Sequence, residues 1–144
     1  MSLRRESANV GVAHGAWGEA VAANYLRRGG FEILERNVCP VARDRRLEID
    51  IVAWDRAHDT MVFVEVKQHA RPSPYARRLC SVDRQKRINL RRACNAWRRV
   101  NKWKGAFRFD VIEIYGVPQG GEPIVDHVAG VDLFARRGRF VRWN

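Results

Sequence analysis

Leu47-Glu48-Ile49-Asp50-Ile51-Val52-Ala53-Trp54 and, after a turn around Arg56 to Thr60, Met61-Val62-Phe63-Val64-Glu65-Val66-Lys67 are rich in β-branched residues and alternate with period two. Ile49, Ile51 and Ala53 fall on one face of the first segment, with Glu48, Asp50 and Val52 on the other. In the second, Val62, Val64 and Val66 oppose Met61, Phe63, Glu65 and Lys67. That spacing predicts two paired strands of one sheet. Glu65 and Lys67 then share a face about 7 Å apart, and strand pairing brings Asp50 to the same place. Two carboxylates and an ammonium are costly to bury without a partner. Mg²⁺ or Mn²⁺ offsets that cost, because a hard divalent cation prefers carboxylate oxygens. A cation held there polarises a phosphoryl oxygen and lowers the pKa of a water, and a lysine orients that water or offsets developing charge. Acid-x-Lys is a weak pattern alone, and an exposed cross-strand ion pair worth about 0.5 kcal/mol is the bland alternative. The chain uses 23 Arg and only 4 Lys, yet a lysine stands at position 67. A compact ammonium and a planar guanidinium are not interchangeable at a metal site.

Working outward, Trp17 to Arg28 reads as a helix after a polar arm, with Trp17, Ala20, Val21 and Tyr25 on one stripe and Gly29-Gly30 as its stop. Phe31 to Arg36 reads as a short strand, and Pro40 to Arg46 as a loop. Beyond the paired strands, Arg71 to Tyr75 carries two prolines and is expected to be a loop. Ser81 is the expected N-cap of a helix running to about Val100, whose buried stripe is Leu90, Ala93, Cys94 and Trp97. Phe107 to Tyr115 and Ile124 to Val128 read as strands, and residues 135–144 as an arm with four arginines. No repeat or linker interrupts residues 1–144, so one α/β domain is expected.

The charge is concentrated. Residues 67–104 hold 13 basic residues and one acid, Asp83, or +12 of the chain's net +11, while the remainder is close to neutral. A field of that size attracts polyanions, because each neutralised phosphate releases condensed counterions. Nucleic acid, DNA in the first instance, is therefore the expected partner. Arg84, Lys86, Arg87 and Arg91 at the start of the basic helix are the candidate contacts, with Lys86 placed to hold a phosphate near the helix N-terminus. The longest run free of Asp, Glu, Lys and Arg is 12 residues, Ser7 to Gly18. A spanning helix needs about 20, so no membrane partner is expected. The N-terminus lacks an apolar signal core and the three cysteines are far apart, so a cytoplasmic location is expected. The four histidines lack metal-ligand spacing, and Cys39 in its loop gives no sign of a catalytic thiol. Trp97 lies on the apolar stripe and reads as core rather than as a base-stacking platform. Arg108 and Asp110 read as a structural ion pair.

Several short runs together resemble a known family. Gly18-Glu19-x-x-Ala22-x-x-Tyr25-Leu26, Gly30-Phe31-x-Ile33-Leu34-x-Arg36-Asn37, Glu48-Ile49-Asp50, Glu65-Val66-Lys67, Val82-x-x-x-Lys86 and Arg108-Phe109-Asp110-Val111-Ile112 follow in order between Gly15 and Tyr115. This pattern resembles the bacterial YraN family, which is similar to the restriction-endonuclease-like superfamily with its PD-(D/E)xK motif and, within it, to archaeal Holliday-junction resolvases. The resemblance implies a restriction-endonuclease-like mixed β-sheet flanked by helices and Mg²⁺-dependent phosphodiester hydrolysis. It implies Asp50 and Glu65 as metal ligands, Lys67 as catalytic lysine and Glu19 as completing the metal site, with Glu48 a further candidate. Two departures stand out: Leu47 replaces a usual glycine, and Gln68-His69 replaces a Lys-x-Arg ending and removes a phosphate contact. A metal-dependent endonuclease on structured or branched DNA is the expectation, and a non-catalytic nucleic-acid-binding module on the same fold is the alternative. A homodimer has a geometric reason, since a four-way junction presents two symmetric scissile sites.

Overall fold

The alternation in the central segments is realised as an antiparallel pair at the heart of a five-stranded sheet. The computed structural model describes residues 3–71 and 84–133, with side chains from residue 15 onward. The elements run α1 (Leu3–Arg28), β1 (Phe31–Val38), a 3-10 turn (Arg45–Leu47), β2 (Ile49–Asp55), β3 (Thr60–His69), α2 (Arg84–Val100), β4 (Phe107–Tyr115) and β5 (Ile124–Val128). The sheet order is β1-β2-β3-β4-β5. Neighbours pair antiparallel except β3 and β4, which are parallel and joined through α2. A parallel pair requires such a crossover. This is an α/β fold, a mixed sheet flanked by two helices, and is consistent with the restriction-endonuclease-like architecture.

Each helix covers one sheet face. Ala22, Ala23 and Leu26 of α1 pack on Ile51, Ala53, Val62, Val64, Ile112 and Ile114, all fully or almost fully buried. Leu90, Ala93, Cys94 and Trp97 of α2 pack on Val52, Met61, Phe63, Phe109 and Val111 on the opposite face. Phe63 is fully buried between Trp97 and Phe107, with ring centroids 5.4 and 6.3 Å away. Burial of such a side chain contributes roughly 2–3 kcal/mol. Trp97 is core, and its indole N–H donates to Glu35 Oε2 at 3.1 Å, which explains how a polar handle is tolerated there.

Several boundaries differ from the sequence expectation. The segment before Trp17 continues α1 back to Leu3, where a polar arm is expected. The helix ends at Arg28, and Gly30 in the turn beyond it has a φ of +88°, which suits a residue without Cβ. Leu47, where the resemblance expects glycine, closes the 3-10 turn and buries itself in the α2-side core. Ile49 likewise joins the α2-side core, whereas Ile51 and Ala53 face α1, so the alternation breaks at the start of β2. Ser81, Pro72 to Tyr75 and the arm 135–144 lie outside the described residues. Among the described residues, no helix is long and apolar enough to cross a membrane.

Candidate metal centre

The sheet forks where the acidic residues sit. The β2–β3 ladder runs from Asp55↔Thr60 to Ile51↔Val64 and stops there. Beyond it β2 stays with β1, to Val38↔Ile49, while β3 stays with β4, to His69↔Tyr115. Asp50 and Glu65 are the first residues past the last paired step, and the opening between the strands is theirs. The backbone N–H of Val66, which no longer has a β2 carbonyl, donates to Asp50 Oδ2 at 2.8 Å. The carboxylate thus takes over a ladder hydrogen bond and is fixed in the fork.

Three carboxylates converge there. Glu19 from α1, Glu48 at the end of the 3-10 turn and Asp50 each offer an oxygen within 4.8 Å of the others, and all three are half-buried. Glu65 of β3 stands outside that group of three and interacts with Asp50 directly. It is 6% exposed, and its Oε2 is buried without a hydrogen-bond partner. Its Oε1 accepts an ion pair from Lys86 Nζ of α2 at 3.1 Å. Burial, then Glu65 and, more weakly, Glu19, push the Asp50 carboxyl up to about 8, against the opposing pull of the Val66 N–H. Lys86 is also shifted upward, which for an ammonium favours the charged form. Burial disfavours its charge, but Glu65, Asp50 and Glu48 outweigh it and hold the ammonium above its ordinary range.

A divalent cation fits this donor set. All the converging atoms are hard carboxylate oxygens, which suits Mg²⁺ or Mn²⁺. The buried, unpartnered Glu65 Oε2 is costly as it stands, and a cation in the fork would satisfy it.

The sequence-expected residues fall into two groups. Glu19, Glu48 and Asp50 meet in the fork, and Glu65, which interacts with Asp50, lies beside them. Lys67 lies half-buried two residues along β3 from Glu65, in register with Glu113 of β4. Of the candidate nucleic-acid contacts, Arg84 is exposed at the start of α2, Arg87 and Arg91 are half-buried, and Lys86 is engaged with Glu65. Arg91 lines a cavity of about 290 Å³ with Cys94, Phe109 and Leu133. Further along, exposed Arg99, Lys102 and Lys104 and the half-buried Arg98 border a shallow groove at the C-terminal end of α2.

The Lys86–Glu65 pair is absent from the sequence reading. A signal for it existed, since Lys86 is the only lysine of α2 among six arginines, the same anomaly that singles out Lys67. Gln68 and His69 are both used internally. Gln68 Nε2 donates to the Gly116 carbonyl at 3.4 Å, and His69 Nε2 lies 3.4 Å from Glu113 Oε1. Arg108 and Asp110 form the expected ion pair at 3.0 Å within a larger network. Asp110 also meets His127 at 2.8 Å and accepts from the Gly130 N–H at 3.0 Å, and Arg108 reaches Asp55 at 2.8 Å.

Comparison with known proteins places this chain in a defined family. A model described as uncharacterised protein family UPF0102 matches residues 18–114, more than half of the chain. The chain belongs to the UPF0102 family. This is the YraN family that the motifs resemble. A UPF0102 protein of Streptomyces griseus is 36% identical over 125 residues, covering 85% of this chain and 98% of its own. One from Trichlorobacter lovleyi is 38% identical over 117 residues, covering 81% and 87%. One from Mycobacterium tuberculosis H37Rv is 37% identical over 124 residues, covering 83% and 92%. The span matched by the UPF0102 model contains Glu19, Glu48, Asp50, Glu65, Lys67 and Lys86.

Proposed function

We propose that this UPF0102 protein is a metal-dependent endonuclease that hydrolyses phosphodiester bonds in structured or branched DNA. The observation that carries the reading is the fork itself: carboxylates from α1, the end of the 3-10 turn and β2 meet where the ladder opens, and beside them Glu65 of β3 keeps Oε2 buried without a hydrogen-bond partner. Asp50, Glu65 and Glu19 would hold the cation, with Glu48 within reach. Mg²⁺ or Mn²⁺ bound there supplies Lewis acidity toward a phosphoryl oxygen and a water. The Val66 N–H holds the Asp50 carboxylate in place, so little reorganisation is needed at the moment of reaction. Lys67, on the Glu65 strand, is the group assigned to orient the water or to offset charge on the phosphate. The exposed cations of α2 and the groove beyond it supply the sequence-independent attraction for the DNA backbone. A homodimer is the assembly suited to a two-fold symmetric junction.

Purified protein incubated with Mg²⁺ or Mn²⁺ and linear, flapped and four-way DNA tests the reading. Cleavage of at least one substrate, lost in Asp50→Asn with DNA binding retained, is the expected result. All substrates left intact with both metals overturns it. The non-catalytic binding module remains the second reading, favoured by the Lys86 ammonium, which already places a positive charge against Glu65. That reading requires salt-sensitive DNA binding with no stoichiometric metal uptake.

A further inference from the structure

Lys86 was expected from the sequence to face phosphate, yet its ammonium points into the acidic fork. It is the third residue of α2, whose first turn contains no acidic side chain, and its partner carboxylate comes from the sheet. Nζ contacts Glu65 Oε1 at 3.1 Å, while Oε2 of the same carboxylate stays buried and without a hydrogen-bond partner. The Lys86 side chain is 45% exposed and that of Glu65 only 7%. The lysine thus approaches from the rim and holds a group that lies inside.

We infer that Lys86 is a positioning residue for the metal site: it pins one oxygen of Glu65 and thereby presents the other to the divalent cation in the fork. This inference rests on the metal reading of the fork. A carboxylate with two free oxygens can rotate, and in a crowded acidic site repulsion from Asp50 would turn it away. An ion pair on Oε1 removes that freedom and offsets part of the negative charge before the cation arrives. Partners of this kind behind metal ligands typically govern affinity by 10–100-fold. Charge count supports coexistence rather than competition. One dication and the Lys86 ammonium together carry less charge than the four carboxylates, so the cation need not expel the lysine. The alternative arrangement, with Lys86 as a stand-in that a cation must displace, predicts the opposite response to its removal.

Calorimetric titration of Mn²⁺ into wild type, Lys86→Met, Lys86→Gln and Lys86→Arg, with folding checked by circular dichroism, tests the inference without any turnover. Mn²⁺ affinity is expected to fall about 10–100-fold in Lys86→Met, less in Lys86→Gln, which keeps a donor without the charge, and to recover to within a few-fold of wild type in Lys86→Arg. Equal or tighter binding in Lys86→Met overturns the inference while leaving the metal site standing. Absence of Mn²⁺ binding in wild type overturns both. With only four lysines in the chain, selective ¹³Cε labelling gives a check on unmutated protein. The Lys86 signal should shift on adding Mg²⁺ and remain as broad as before. Collapse to the sharp position of a free lysine would show displacement and refute the positioning role.

Discussion

Asp50 Oδ2 accepts the Val66 backbone N–H at 2.8 Å, at the step where β2 and β3 part, so one side chain both closes the ladder and enters the acidic fork. An asparagine keeps that acceptor and loses the charge. Burial, then Glu65 and Glu19, raise the Asp50 carboxyl to about 8, against about 3.9 in an unfolded chain. Between those values the unfolded chain has released a proton that the folded chain retains. Metal-free stability therefore falls as pH rises from about 4 to about 8 and levels off above. Asp50→Asn carries no such proton, so its advantage over wild type should grow across that window to roughly 5 °C in Tm near pH 8. Thermal melts in chelator at several pH values measure it. A difference that does not change with pH would refute the carboxylate crowding.

The opposite sign is expected on the other side of the sheet. Asp110 is fully buried, and although burial opposes its charge, His127, Arg108 and the Gly130 N–H together hold it below the usual carboxylate range. Asp55 is lowered likewise by Arg108 and His58 against its own burial. Stability from these groups is complete above the unfolded value near 4 and is lost as pH falls through their folded values. Asp110→Asn leaves Arg108 and His127 without that charge and should cost about 3 kcal/mol at neutral pH. Urea unfolding at pH 3 and pH 7 should show the variant's deficit shrinking in acid. A deficit that is larger at pH 3 would contradict this network.

How much of this was legible follows from which interactions are local. Period-two alternation marked β2 and β3 because each of their faces meets a different helix, and the Leu90, Ala93, Cys94, Trp97 spacing marked α2 because one stripe carries its burial. Asp50, Glu65 and Glu19 were legible as candidates through motif spacing. The fork was not: where a ladder stops depends on which neighbour each strand follows, and no residue in β2 or β3 encodes that. The break at Ile49 has the same origin, since Leu47 and Ile49 turn together into the α2-side core. Lys86 was assigned to phosphate because helix phase alone leaves it among arginines. Only the tertiary approach of α2 to β3 sets it on Glu65.

That approach of helix to strand has a counterpart at Gly18. A Cβ built there would lie 3.1 Å from Gln68 Oε1 and 3.3 Å from Gln68 Cβ. Alanine would gain about 1 kcal/mol of helix propensity and spend it against this contact, so Gly18→Ala should be close to neutral. Gly18→Val has nowhere to place its branch and should destabilise by about 1–3 kcal/mol, while displacing the neighbouring Glu19 and weakening Mn²⁺ binding. Gln68→Ala removes the Oε1 contact and keeps the Cβ one, so the double variant should recover part of both losses. Additive losses in the double-mutant cycle, by melts and calorimetry, would show that Gln68 is not the cause.

The DNA reading makes a prediction separable from the metal. Arg92 and Arg99 are exposed on α2 seven residues apart, two helical turns along one face, and Arg99 also borders the basic groove. A side chain that neutralises one phosphate contributes about 0.9 to the slope of log affinity against log salt. Arg92→Ala and Arg99→Ala should each reduce that slope by about one, and the double variant by about two, with little change in Mn²⁺ affinity. Asp50→Asn should do the reverse, leaving the slope of metal-free binding nearly intact and abolishing Mn²⁺ uptake. Fluorescence anisotropy on a labelled duplex over a salt series reads both. If the double variant keeps the wild-type slope, the phosphates lie on another surface, and the charge of α2 serves only solvation.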